Sequence, residues 1–350
     1  MKFGLSFLPD SDFEAKSAVS YYEEALKLCE TADHGGLHTI KMTEHYLHPY
    51  GGYCPSPLMF LSAVSSRTRR IRLMTGCILP AFHHPLALAA ETAMLDAISC
   101  GRLDVGLARA YLPYEFDAFN VNLDDSRARY KETIQAMRQL WVDPKVSVET
   151  PFFSFKNATN YPQVTQRPHP PLWGAAVNSR ESFAWLGEEG FGLLVSPPSS
   201  SLLAIQEKLE IYRESFNSKK SVYESPQVAL SIPLYLAPTD SVAITECAYY
   251  LNRYKSVWAD ATQSWKERSS SAYLGYQGLG SIIRNLNPES MIQNSQAIAC
   301  GPKAAIEKIH WIKESLQVDQ ILWQIDFGGQ SYETSARTLD LFINEVLPSC

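Results

Sequence analysis

Residues 71–111 read IRLMTGCILPAFHHPLALAAETAMLDAISCGRLDVGLARAY, and their pattern decides the fold. IRLMTGCILP is a short apolar run closed by a proline, which reads as a strand. From Pro85 to Cys100 the apolar residues recur at helical spacing. Proline opens that stretch and Gly101 stops it, as helices prefer. RLDVGLARAY then returns to a short run with strand character. Strand, helix and strand in succession, with no hairpin turn between them, make a βαβ unit and therefore a parallel pair.

The same rhythm extends in both directions. Upstream lie KFGLSFLP (2–9), a helix through SYYEEALKLCETADHGG (20–36), HTIKMTEHY (38–46) and a helix through SPLMFLSAVSSRT (56–68). Downstream come a helix at 126–141, PLWGAAV (171–177), a helix at 179–189, GFGLLVS (190–196) and a helix at 202–216. QVALSIPLYLA (227–237), a helix at 241–258, a helix at 301–316, DQILWQIDFGG (319–329) and a helix at 331–348 complete the chain. Two stretches break the alternation. Residues at about 145–160 alternate β-branched and aromatic side chains, as a hairpin does. Residues 259–295 are polar and rich in serine and glycine without a clear period, and a loop of that length is usually functional or mobile. Eight strands, each followed by a helix, predict an α/β fold: a (β/α)8 TIM barrel with insertions after strands 4 and 7, in a single domain spanning 1–350. No Gly-x-Gly-x-x-Gly follows the first strand, which weighs against an open dinucleotide-binding sheet.

Composition narrows the function classes. The 350 residues carry a net charge of −6 with no basic run, which argues against a nucleic-acid surface. Apolar runs are short, so no membrane span is expected, and the opening turns polar at Asp10 too early for a signal peptide. Seven cysteines include no CxxC pair, so disulfide and zinc frameworks are not expected. A cytoplasmic protein is the plain expectation.

A barrel places its active site at the C-terminal ends of the strands. At the second such end stands TEHYLHPYGG, with His45 and His48 three apart. The helical zinc motif needs four, and Pro49 and Gly51–Gly52 forbid the helix, so no metal is expected. Arg109 ends the fourth strand and Arg127 opens the next helix. Asn178, Ser179 and Ser182 lie where the fifth strand passes into its helix, and free N–H groups there favour an anion. Two guanidinium groups, hydroxyls and a helix start suit a phosphate.

These residues lie in a sequence that resembles the bacterial-luciferase-like flavin monooxygenases. The likeness runs from KFGLSFLP to LFINEVLP. It is densest through HPLALAAETAMLDAISCGRLDVGLARA and AFNVNLDDSRARY, and returns at ACGPKAAIEKI. The resemblance implies a (β/α)8 barrel that binds FMN as FMNH2, or in one branch F420. It places Arg109 and Arg127 on the flavin phosphate, with Asn178, Ser179 and Ser182 at the phosphate-binding helix start. Thr75 and Gly76 fall at the strand end against the flavin ring, a place where relatives sometimes carry a non-prolyl cis peptide. His45 falls on the histidine that works beside the flavin, and histidine can exchange a proton near neutrality. His84 is expected to support the site from behind. The reactive cysteine of luciferase is replaced by Ala108. Phe7, Tyr46, Tyr53, Phe82, Tyr111, Trp173 and Trp323 are expected to line the substrate pocket.

The chemistry so implied is oxygen activation as a flavin C4a-peroxide, followed by hydroxylation or Baeyer–Villiger insertion on a hydrophobic organic substrate, small or carrier-tethered. With no nicotinamide motif in the chain, a separate NAD(P)H:flavin reductase is the implied partner. Residues 259–295 are expected to form a mobile lid, and a homodimer through the early helices is the family habit. The rival readings are an F420-dependent hydride-transfer enzyme and a non-catalytic flavin-binding relative.

Overall fold

The computed structural model describes residues 1–11, 14–197 and 200–350. Eight strands close into a parallel barrel: β1 (Lys2–Phe7), β2 (Thr39–Met42), β3 (Arg72–Thr75), β4 (Leu103–Leu107), β7 (Leu172–Ala175), β8 (Gly192–Val195), β9 (Val228–Leu236) and β11 (Gln320–Gln324). The ring closes where β11 pairs with both β1 and β9, and where β8 pairs with β9. The antiparallel hairpin β5 (Val146–Glu149) and β6 (Ser154–Ala158) stands apart, where the alternating stretch predicts it. One strand was not foreseen. β10 (Ile298–Cys300) pairs with the end of the long β9, at Leu234–Leu236, beyond the barrel wall.

Helices cover the barrel: α1 (Ala18–His34), α2 (Pro57–Arg67), α3 (Pro85–Ile98), a short α4 (Pro113–Ala118), α5 (Ser126–Val142), α6 (Arg180–Glu188) and α7 (Gln206–Ser215). The long α8 (Asp240–Ala261), the short α9 (Leu279–Arg284) and α10 (Pro288–Gln293), then α11 (Pro302–Leu316) and α12 (Tyr332–Leu341), complete the layer. Residues 259–295 are therefore largely helical. Their one- and two-turn pieces are too short to leave a period in the sequence.

The strand period of two sorts side chains between barrel interior and helical layer. On β1, Phe3, Leu5 and Phe7 join the main core, whereas Ser6 reaches inward to Lys41 and Ser231. On β11, Trp323 packs edge-on against Phe342 with ring centroids 5.6 Å apart, in the helical layer. Met74, Trp173, Leu194, Ala229 and Leu322 form a separate apolar plug inside the barrel. Gly192 makes room for that plug, because a Cβ there would collide with the Trp173 ring. Burying each such large side chain contributes about 1.5–3 kcal/mol. The plug divides a polar upper interior from the lower end, where Arg72 pairs with Asp104 at 2.7 Å.

Candidate active site

The geometry is built around the C-terminal ends of β2, β3 and β4. His45 follows β2 in an irregular turn and is 5% exposed. Its Nδ1 donates to Oε1 of Glu115 at 3.0 Å, and the same oxygen accepts the Tyr46 backbone N–H at 2.9 Å. Glu115 lies on α4 and is fully buried. Its grip on Nδ1 leaves Nε2 as the ring nitrogen outside that bond. The ring sits beside Tyr50 and Tyr111, at centroid distances of 5.1 and 6.1 Å.

Glu44 faces a different set of partners. It accepts the Leu79 N–H at 2.7 Å, a bond from His83 Nε2 at 2.6 Å and the Tyr46 hydroxyl. Burial and the Glu44 charge push the Tyr46 hydroxyl well above its ordinary pKa, so it is a fixed donor. The supporting role expected of His84 belongs to its neighbour His83. His84 is exposed, and its Nδ1 caps α3 by accepting the Leu86 N–H at 3.2 Å.

At the end of β3, the Thr75 hydroxyl donates to the Gly106 carbonyl at 2.9 Å and accepts the Gly106 N–H at 2.8 Å. That side chain is used up in tying β3 to β4, so Thr75 and Gly76 offer backbone to the site. The Gly76–Cys77 peptide is cis. Cys77 is buried, and burial pushes its thiol up to about 12, so it is inert at neutral pH.

Arg109 leaves β4 toward the mouth. Its Nη2 donates to the Ala272 carbonyl at 2.8 Å, and its guanidinium stacks 4.0 Å from the Tyr273 ring centre. Its Nη1 is buried without a partner. Burial pushes the Tyr273 hydroxyl up to about 12, while Arg109, the Ser126 hydroxyl and, least, Arg127 draw it downward, so Tyr273 lies within electrostatic reach of both arginines. Arg127 in turn pairs with exposed Glu181 at 2.7 Å, which brings the starts of α5 and α6 together. Ser179 caps α6 by accepting the Ser182 N–H at 3.3 Å, and the Asn178 amide oxygen accepts from Lys208 at 3.5 Å. The fold thus links Arg109, Arg127 and the Asn178–Ser182 corner along one side of the mouth. An unpartnered buried guanidinium nitrogen there fits an anionic group such as a phosphate.

The expected pocket aromatics divide. Tyr46 and Phe82 gather with Phe116 and Phe119, with Phe82 and Phe119 stacked at 4.7 Å. Tyr111 bonds Tyr50 through their hydroxyls at 3.2 Å and faces Tyr276 at 6.2 Å. Phe7 and Trp323 point instead into the helical layer, because the pleat turns them outward. Trp173 faces inward but low, lining a cavity of about 400 Å³ at the N-terminal end with Arg72 and Asp104. Tyr53 turns toward α1, donating to the Lys16 carbonyl at 2.6 Å and packing on Tyr21. Sequence reasoning missed Glu115. It stands 70 positions from His45, and only the closed barrel brings the two together.

Residues 1–319 match the family model for luciferase-like monooxygenases. The chain belongs to that family. Among its relatives, the oxygenase component of a flavin-dependent trigonelline monooxygenase from Acinetobacter baylyi is 30% identical, over 100% of this chain and 95% of the other. The crystal structure of monooxygenase RslO1 from Streptomyces bottropensis superposes with a TM-score of 0.84 at 35% identity, covering 99% of each chain. The oxygenating constituent of 3,6-diketocamphane monooxygenase from Pseudomonas putida, a Type II Baeyer–Villiger enzyme in complex with FMN, shares the fold. Its TM-score is 0.80 at 19% identity, over 99% of this chain and 98% of that one. F420-dependent proteins are also similar at lower identity. This luciferase-like monooxygenase has, among its described residues, no helix long and apolar enough to cross a membrane and no cluster suited to a metal ion.

Proposed function

We propose that this luciferase-like monooxygenase takes FMNH2 from a separate NAD(P)H:flavin reductase and oxygenates a hydrophobic organic substrate at the barrel mouth. The observation that carries the reading is the pairing of two features on one rim. An oriented His45–Glu115 dyad stands at the strand ends, and Arg109 beyond β4 keeps an unpartnered buried nitrogen. When bound, the reduced flavin supplies the electrons and the carbon at which oxygen is activated.

The chain's own residues divide the remaining work. Arg109, Arg127 and the α6 start hold the cofactor phosphate, and Arg127 exchanges exposed Glu181 for it. Nε2 of His45 holds or releases the proton that the oxygen chemistry needs, and Glu115 keeps the ring in that orientation. Tyr46, Phe82, Phe119, Tyr111 and Tyr276 give the mouth an aromatic rim that excludes water and suits an apolar substrate. Residues 259–295 act as the lid over that rim. The working form is a homodimer through α2 and α3, whose faces leave Met59 76%, Met94 56% and Ile98 46% exposed.

Anaerobic titration with FMNH2 and with reduced F420, followed by mixing with isotopically labelled dioxygen and a substrate panel, tests the reading. Tight FMNH2 binding and labelled product are expected. Tight F420 binding without oxygen incorporation would replace this reading with hydride transfer.

A further inference from the structure

Lys41 is the residue that neither the barrel nor the oxygen chemistry accounts for. It points inward from β2 and is 7% exposed. Its ammonium donates to the Ser6 hydroxyl at 2.8 Å and to the Thr43 hydroxyl at 3.4 Å, and Ser6 also accepts from Ser231 at 2.9 Å. Among the described residues it forms no ion pair. The carboxylate of Asp326 and the thiol of Cys77 act on it only at a distance. A Cβ on Gly76 would collide with its methylene stem, so the backbone at the end of β3 rests directly on Lys41.

A buried ammonium without a counter-ion is costly, and a plain core would be at least as stable with an apolar side chain in its place. Burial draws its pKa down to about 8, which still leaves the charged form dominant at neutral pH. The cation is therefore maintained against its desolvation, directly beneath the strand ends. The phosphate side of the mouth is already served by Arg109 and Arg127, which leave from β4 and α5. Lys41 belongs to β2, on another part of the rim, so a second and different negative charge is its natural partner. A reduced flavin carries one. Its ring system loses a proton near neutrality and becomes a monoanion, whereas the oxidised ring is neutral.

We propose that Lys41 is the cation beneath the flavin ring, which makes this chain prefer reduced, anionic FMN over oxidised FMN. The inference rests on the flavin reading above and adds a residue that decides redox specificity. A charge so placed tunes the cofactor electrostatically. It also gives the cycle a direction, since reduced cofactor is captured and oxidised cofactor is released to the reductase. By linkage, tighter binding of the reduced form raises the midpoint potential of bound FMN.

The test is equilibrium titration of the full chain with oxidised FMN and, anaerobically, with chemically reduced FMN, followed by protein fluorescence. Wild type is expected to bind the reduced form about tenfold or more tightly, the scale of one favourable charge interaction. Lys41→Met and Lys41→Gln should each lose that margin, with the oxidised Kd unchanged within about twofold. Two variants guard against a folding failure in either, and the wild-type ratio needs no variant at all. Equal weakening of both redox forms, or no weakening, would overturn the role of Lys41. So would a wild type that binds both forms alike. No FMN binding in either form by wild type would overturn the flavin reading and this inference together, which sets that failure apart from the others.

Discussion

Oε1 of Glu115 lies 3.0 Å from Nδ1 of His45 and 2.9 Å from the Tyr46 amide, so one buried carboxylate oxygen fixes both a ring and the backbone next to it. That relationship fixes the orientation of the His45 ring through its Nδ1, which is what a proton-transferring histidine would require.

Replacing His45 with alanine is expected to leave FMN affinity within about twofold and lower the turnover number about 100- to 10,000-fold, the usual range for a lost acid–base group. Glu115→Gln keeps the shape and removes the charge, so a smaller loss, about 10- to 100-fold, is expected with KM little changed. Steady-state kinetics with a confirmed substrate would separate the two. Unchanged turnover in His45→Ala would remove the dyad from the mechanism.

Arg109 offers a test that needs no substrate. If its free Nη1 serves the cofactor phosphate, Arg109→Ala should weaken FMN by about 1.5–3 kcal/mol and leave riboflavin, which lacks the phosphate, almost unaffected. Arg127→Ala should follow the same pattern more weakly, because Arg127 is partly exposed and already shares an ion pair. Equal losses for FMN and riboflavin would mean that Arg109 only supports the fold.

The carboxyls of Asp10 and Asp326 lie near the ends of β1 and β11. Burial raises Asp10 from 3.8 to about 6, and burial together with the Asp10 charge raises Asp326 from 3.8 to about 7. A raised carboxyl binds a proton more tightly in the folded state. It therefore contributes stability at low pH that is lost as pH rises from the unfolded value through the folded one. Asp326→Asn keeps an acceptor for the Tyr21 hydroxyl, now 3.0 Å from Asp326, and removes the ionisation. The variant should match wild type near pH 4 and become more stable across pH 4 to 7. Its advantage should level off at about 1–3 kcal/mol above that window. Urea midpoints measured across that range would check the sign. A variant less stable than wild type at pH 8 would contradict it.

How much of this was legible in the chain follows from which forces act locally. The strand–helix alternation is set by neighbouring residues, so all eight barrel strands were readable, together with the β5–β6 hairpin. β10 was not, since three residues carry too little pattern to register. His45 and Arg109 were visible because a strand end announces a rim position. Phe7 and Trp323 were misplaced for the complementary reason. A one-residue shift in a strand reverses the face, and an aromatic is at home on either side. Glu115 and Lys41 depend on contacts across the closed barrel, which no local pattern records.

A homodimer through α2 and α3 predicts that Met59→Lys with Met94→Lys shifts the sedimentation coefficient from a dimer to a monomer while the barrel stays folded. Both side chains are largely exposed in the single chain, so charging them costs the monomer almost nothing. Unchanged sedimentation would move the interface elsewhere or remove it.

The segment after α8 gives the last prediction. Trp265 Nε1 donates to the Tyr111 carbonyl at 2.9 Å, the Tyr273 hydroxyl donates to the Ala110 carbonyl, and Arg109 donates to the Ala272 carbonyl. Three side-chain bonds therefore fasten this segment to the residues just beyond β4, and two of the acceptors, Ala110 and Tyr111, directly follow Arg109. Between those anchors, residues 266–269 are exposed. A lid should open by releasing the anchors together, and the exposed stretch should then be the first cut by a protease. Bound FMN would draw Arg109 toward its phosphate and reset the anchor at Ala272. Limited proteolysis near 266–269 should therefore change several-fold in rate with FMN. Tyr273→Phe, which loses one anchor and keeps the ring under Arg109, should speed cleavage without cofactor, by about fivefold for a bond worth about 1 kcal/mol. Cleavage at one rate with and without FMN, in both proteins, would make the segment a fixed part of the barrel wall.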